Sequence, residues 1–459
     1  MARVGELQSS KRGLLMVVVA ALLGASIVLA GEIAALVVPS IASLLVLLHL
    51  VKRVGTAVDD SEYRRRIRWW TVVSFLAHLL VASVITHGGL QLIFGPDAPH
   101  YHSGAQEIVR HWKDGLPLPS YLPAGKTGFY YLLAICYWVF GPHVSVGLVV
   151  NAALAAAIVP LMTDSTRRLF GTDAARHVPP LIVLIPGLFL WTAQLLKEAP
   201  ILFLIAVAVY FAVRLVERVA LAPLIGLGVA FVLLFTFRAW IGLVLAAGMI
   251  AGIVVDARRL VAALGRGIGV IAVVALFTIV LGLGYSGYEV AVNSDLEGAN
   301  TVRQDLAAAS TGYAADADIS TPRGAVSYLF VGLPQFLFGP FPWQFSSARQ
   351  LPVVPDVCVW WALLPATWRG LWECRRRPDL RASVLVLPAI GLTLLLTLAI
   401  GNFGTMVRER TQVTLLLIPL IALGLAVRKL RPPSPPPAAG SLVDLPTLAA
   451  PIGSGRPSA

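Results

Sequence analysis

The sequence predicts an all-α polytopic membrane protein, with about twelve transmembrane helices and with interfacial helices in two large outer loops. Three observations carry this. The composition is 57% hydrophobic and 13% charged, against about a quarter charged in an average soluble domain, and the mean hydropathy of +0.80 agrees; a water-soluble fold is excluded. Several apolar runs reach the roughly 17–25 residues that cross a hydrocarbon core of about 30 Å, without an internal charge. The basic residues behind the net charge of +12 gather in short loops between these runs, which is the positive-inside bias of membrane proteins and not a nucleic-acid footprint.

The first apolar run, 14–30, follows Lys11 and Arg12 and resembles a signal peptide. A second run starts at Ile33, and no Ala-x-Ala cleavage site precedes a soluble domain, so an uncleaved helix is expected. Basic loops at 52–68, 167–177, 256–266 and 373–381, and the tail from 428, are assigned to the cytoplasm. Spans at 14–30, 33–51, 70–93, 144–162, 179–192, 198–214, 222–237, 240–255, 268–284, 356–372, 383–400 and 411–427 then place both termini inside. Segments 127–140 and 326–341 cannot be full crossings, because either would put the next basic loop outside. They carry Tyr130, Tyr131, Tyr137 and Trp138, and Tyr328 and Phe336 with Trp343 beside them, the aromatic chemistry of a membrane–water interface. The expected plan is two N-terminal helices and a basic loop (1–69), a transmembrane core (70–284) holding the first outer loop (94–143), a second outer loop (285–355), C-terminal helices (356–430) and a Pro-, Ser- and Ala-rich tail (431–459) expected to be disordered.

No fixed-period repeat, Walker loop or dinucleotide fingerprint is present. Cys136, Cys358 and Cys374 are far apart and lack metal spacing. The second outer loop is acidic around Asp295, Glu297, Asp305, Asp316 and Asp318 and shows no obvious secondary structure before Ala325. More informative are ionisable residues in short outer hairpins, since charge at a bilayer margin is expensive unless it is used or solvated. Lys197-Glu198 lies where two spans meet, Arg238 lies between two more, and Arg408-Glu409-Arg410 opens the last. Parity places all three turns outside, where they are expected to converge with Asp97 at one cavity. Such a set suits an anionic lipid headgroup: Arg238, Arg408 and Arg410, with Lys197, hold phosphate while a carboxylate removes a proton from an acceptor hydroxyl. Each residue also has a structural reading. Asp97 follows Gly95-Pro96 and suits a helix N-cap, Lys197–Glu198 suits a weak interfacial pair, and His100 and His102 suit solvated loop positions.

These residues resemble the GT-C superfamily of polyprenyl-phosphate-sugar-dependent glycosyltransferases, which includes protein mannosyltransferases and lipid A aminoarabinose transferases. The likeness rests on Asp97 opening the first outer loop, then Tyr101 and Ala105, Gly128-Phe129-Tyr130-Tyr131-Leu132-Leu133, Phe140-Gly141, and the turn Thr166-Arg167-Arg168-Leu169-Phe170-Gly171; it runs from about Thr71 to Arg218. Glu198 matches a second acid of the family. The resemblance implies a GT-C-like fold and a hexosyl or pentosyl transferase in the plasma membrane. It implies a polyprenyl-phosphate-linked sugar donor, a glycan, lipid or protein acceptor, and no nucleic acid. Asp97 and Glu198 are the expected catalytic acids; His102, which lies outside the family's pattern, is with Asp97 and Glu198 a candidate ligand of a divalent cation, Mg or Mn. Other readings of the same face are a polysaccharide polymerase or ligase using lipid-pyrophosphate donors, a transporter or flippase, and a noncatalytic assembly subunit. Arginine far outnumbers lysine, as in GC-rich bacterial proteins.

Overall fold

A computed structural model describes residues 32–55, 60–117, 127–218, 220–256, 268–271, 296–309, 311–345, 348–377 and 380–427. Among these residues, regular structure is helical apart from one isolated bridge between Gly312 and Asn402. The helices are α1 (Glu32–Gly55), α2 (Ser61–His87), α3 (Gln91–Phe94), α4 (Ala98–Asp114), α5 (Thr127–Phe140), α6 (Val144–Phe170), α7 (Thr172–Ala175), α8 (Val178–Leu184), α9 (Pro186–Thr192), α10 (Glu198–Glu217), α11 (Leu221–Phe237), α12 (Ala239–Asp256), α13 (Leu296–Ala307), α14 (Pro322–Phe338), α15 (Val354–Arg376), α16 (Ser383–Ala399) and α17 (Phe403–Val427).

Seven helices in the described residues are long and apolar enough to cross a membrane, and Thr172–Leu184 with Pro186–Thr192 is apolar enough only when taken together, as a broken span or a re-entrant loop bent by 55°. The bend falls at Ile185, whose extended backbone (φ −74°, ψ 114°) is what a following proline imposes, and Pro186 has no N–H to continue the ladder. Ten of the spans read from the sequence fall on helices. Two of these, α11 and α16, are at the lower limit of crossing length, with 17 residues each, about 26 Å at 1.5 Å per residue. The count of twelve is not confirmed: span 14–30 and the tail 431–459 lie outside the described residues, and 268–284 is described at 268–271 alone. Helix α5 is shorter still, at 14 residues, as a segment lying along the interface requires. The second outer loop holds a helix, α13, where the sequence shows no periodic pattern, and its Arg303 is wholly buried. That guanidinium donates to Ala314 O at 2.8 Å and to Ala317 O, and sits over the Tyr328 ring, beside the loop's small apolar cluster of Ile319, Ala325 and Tyr328.

Helix α17 is the most buried crossing, with α6 and α10 next, while α1, α2 and α15 are peripheral. Exposed Leu76, Leu80 and Val84 on α2 face where lipid would lie. The tightest crossing joins α15 to α17 through glycine. A Cβ at Gly370 would collide with Leu420 O, and one at Gly424 with Ala366 O, the small-residue contact that lets membrane helices meet backbone to backbone. Gly424→Leu is expected to cost about 3 kcal/mol by overpacking, read as a lower unfolding midpoint in detergent; an unchanged midpoint would show that the crossing can widen freely.

The basic end of the bundle is knotted by Asp164 on α6. It accepts from Arg167 at 2.6 Å and Arg168 at 2.7 Å, and Arg168 continues to Glu217 on α10 at 2.6 Å. At the opposite end, the second outer loop is tied to the start of α17: Phe403 N donates to Thr311 O at 3.0 Å, Tyr313 N to Gly401 O at 2.8 Å, and the Tyr313 ring stacks on Phe403. This fixes the first turns of α17, which carry the charged triplet.

Candidate functional site

Asp97 stands immediately before α4, yet its side chain makes no cap hydrogen bond. It reaches Arg408 instead, Oδ2 to Nη1 3.2 Å, so Asp97 holds the N-cap position through its backbone, Tyr101 N donating to its carbonyl at 3.2 Å, while its carboxylate faces the arginine. Its loop is seated by Gly95, where any Cβ would strike the Gln194 side-chain oxygen. The turn bearing Gln194 is in turn held by a buried asparagine in α6: Asn151 Nδ2 donates to Gln194 O at 2.5 Å and to Leu196 O at 2.8 Å. That turn delivers Lys197 and then Glu198, the first residue of α10, where the unsatisfied N–H groups of a helix start favour a carboxylate.

Arg238 occupies the one-residue break between α11 and α12, extended at φ −160° and ψ 97°. Gly128, at the start of α5, allows that helix to abut Thr236 and Phe237, so the first outer loop is packed beside Arg238. Arg408 and Glu409 come from the second turn of α17.

The four segments meet. Arg408 Nε is 3.2 Å from Glu198 Oε1 and 3.9 Å from Glu409 Oε1, besides its contact to Asp97. Arg238 pairs with Glu409 and lies 3.9 Å from Glu198. Gln412 donates to Glu409 Oε2 at 2.6 Å, and Lys197, also buried, adds a positive charge within electrostatic reach of Glu409. Exposure is graded: the Glu409 and Glu198 side chains are 1% and 3% exposed, the two guanidiniums 19% and 18%, and Asp97 47%. The buried acids thus form the floor, the arginines the walls, and Asp97 the mouth. Both Glu198 oxygens accept no hydrogen bond from the described residues, a costly state for buried acceptors and common where a ligand completes the site.

Arg408, Arg238, Lys197, Glu198 and Asp97 converge as the sequence leads one to expect. Arg410 does not join them. It is buried on the far side of α17, donating to Gly339 O at 2.6 Å and lying 3.4 Å from Asp356 Oδ2, with the Trp360 ring against it. His102 also turns away, its Nδ1 2.8 Å from the Tyr137 hydroxyl; burial, then nearby His143, push its pKa down and keep it neutral. The expected cation ligands Asp97, His102 and Glu198 are therefore not assembled, since Arg408 bridges the two carboxylates, and among the described residues no three His, Cys, Asp or Glu side chains form a set able to hold a metal ion.

Two residues of the site were not assigned from the sequence. Glu409 locks Arg238, and its signal was a carboxylate flanked by arginines at a span margin. Tyr101 lies one turn after Asp97, on the same helix face. Burial first, then the Glu198 and Asp97 carboxylates, hold its phenol above the usual range, so it remains an O–H donor beside the acids.

No family model matches the chain, and no curated protein is significantly similar to it. Two solved structures are. The crystal structure of ArnT from Cupriavidus metallidurans bound to undecaprenyl phosphate is similar over 79% of this chain and 60% of that one, with 14% identity and a TM-score of 0.47. The same protein in its apo state is similar over 72% and 55%, with 14% identity and a TM-score of 0.44. This chain thus spans less than two thirds of the length of the structures it resembles.

Proposed function

We propose that the protein is a membrane glycosyltransferase that moves a sugar from a polyprenyl-phosphate donor to an acceptor hydroxyl at the non-cytoplasmic face. The observation that supports this reading is the convergence of Asp97, Arg238 and Arg408 from three separate segments, above two buried carboxylates, at the end of the bundle opposite the basic loops. The guanidiniums of Arg238 and Arg408 bind the donor phosphate. Glu198 and Glu409, buried beneath them, fix their orientation before the lipid arrives, so that little reorganisation is left for the reaction.

Asp97, at the mouth, accepts the proton of the acceptor O–H. The acceptor oxygen attacks the anomeric carbon from the side opposite the phosphate, and the carbon–oxygen bond to phosphate breaks with inversion. The electron pair leaves on polyprenyl phosphate, whose second charge develops as Asp97 takes the acceptor proton, so that during the step Arg238, Arg408 and Lys197 face only the carboxylates of Glu198 and Glu409. Tyr101 donates to an oxygen of the reacting groups. A structure in a lipid nanodisc with a non-transferable polyprenyl-phosphate sugar is expected to show phosphate within hydrogen-bond distance of Arg238 and Arg408, with Asp97 facing the anomeric carbon. Phosphate bound elsewhere, or a continuous path across the bundle, would replace this reading with a transporter or a noncatalytic subunit.

A further inference from the structure

The charge count of the site bears on which ionic form of a lipid phosphate it accepts. Arg238, Arg408 and Lys197 supply three positive charges, and Asp97, Glu198 and Glu409 three negative ones. The phenols facing Asp97, Tyr101 from α4 and Tyr130 from α5, are uncharged below pH of about 10. An ordinary arginine clamp carries excess positive charge and favours the phosphate dianion. This one is compensated before any ligand arrives. A second ligand charge would sit beside Glu198 and Glu409, both nearly wholly buried, where repulsion is poorly screened.

A second observation points the same way. The two Glu198 oxygens are buried, accept no hydrogen bond and lie beside Arg408 and Arg238. Arg408 Nε, 3.2 Å from Oε1, forms an ion pair with it but no hydrogen bond, so a ligand O–H can satisfy this carboxylate. A phosphate dianion has none, whereas a monoprotonated phosphate offers one P–O–H. We propose that the cluster binds a lipid phosphomonoester in its singly charged form, with Glu198 accepting the P–O–H hydrogen bond, and disfavours the dianion. This rests on the glycosyltransferase reading and extends it to product release. The donor is a singly charged phosphodiester and transfer leaves a phosphomonoester dianion, the form that predominates above a second pKa of about 6; once Asp97 has passed its proton to solvent the cluster is again compensated, so the site holds the donor and expels the product.

The probes are farnesyl phosphate and its methyl diester, which has no second ionisation. Their binding to the full chain in nanodiscs is measured by calorimetry at pH 5.5 and 7.5, with empty nanodiscs subtracted. The monoester is expected to bind about 25-fold more weakly at pH 7.5, the ratio of its singly charged fractions for a second pKa of about 6, while the diester binds equally at both. Glu198→Gln should shrink the ratio severalfold; Asp97→Asn, at the exposed mouth, should shrink it too and does not depend on a buried substitution folding. Monoester binding that is equal or tighter at pH 7.5 overturns the inference, as does a diester that weakens in parallel, since a protein group would then be titrating. If neither lipid binds at either pH, the polyprenyl-phosphate reading itself fails and takes the inference with it.

Discussion

Asp97→Asn is expected to lower transfer by about 10²–10⁴-fold, the usual contribution of a positioned general base, while lipid phosphate stays bound at least as tightly as before. The two effects separate because of where Asp97 sits. Its side chain is the exposed member of the cluster, and Arg408 keeps Glu198 at 3.2 Å when Asp97 is neutralised. A half-exposed ion pair contributes about 0–1 kcal/mol to stability, so the variant should fold and unfold like the parent. Asparagine preserves the shape and the hydrogen bonding of the loop but cannot take a proton at neutral pH. The readout is release of polyprenyl phosphate from a polyprenyl-phosphate sugar in nanodiscs, alongside binding of farnesyl phosphate. Undiminished turnover would remove Asp97 from the chemistry and leave a lipid-binding protein without a base.

Much of this site was legible because charge is rare here. With 13% charged residues, an ionisable side chain in a short outer hairpin stands out, and parity of the basic loops by itself puts the hairpins of Glu198, Arg238 and Arg408 on one face. What the sequence did not disclose is direction. Successive helical residues are turned by about 100°, so Arg408 and Arg410 point to nearly opposite sides of α17, and one of them had to leave the cavity. The triplet contained that information, but choosing which arginine leaves requires knowing that α15 and α14 pack on the other side. The same limit hid Glu409, whose partner Arg238 is some 170 positions away in the chain. Pairings across such separations are set by helix packing, which composition and spacing do not encode. The span read for α16 runs one residue past the helix because apolar character continues into Ile400, which is buried and extended. The helix in the second outer loop was missed for the opposite reason: its organising residue, Arg303, is polar, and hydropathy treats a buried arginine as surface.

Arg410 should therefore behave as a structural residue although it is two positions from a functional one. Arg410→Met is expected to destabilise the fold by about 3–5 kcal/mol, because removing one partner of a buried ion pair leaves the other charged and unsolvated. The stranded groups are Asp356 on α15 and the Gly339 carbonyl beyond α14. The Asp356 carboxylate also accepts from Gly187 N at 2.7 Å, at the start of α9, so one guanidinium ties three helices to α17. Replacing both partners, Arg410→Met with Asp356→Leu, should recover part of the loss, since an apolar pair in place of a buried ionic one is often neutral; the remainder is the Gly187 N–H left without its acceptor, about 1–3 kcal/mol. Arg408→Gln is the counterpart. That side chain lies at the cavity wall, and its loss should weaken farnesyl phosphate binding by tenfold or more, as expected for a charge-assisted hydrogen bond of about 1.5–3 kcal/mol, with a smaller change in the unfolding midpoint. Thermal unfolding in detergent and lipid binding on the same preparations distinguish the two arginines. If Arg410→Met keeps its midpoint and loses phosphate, α17 presents its opposite face to the lipid, and the cluster around Arg408 is the structural one.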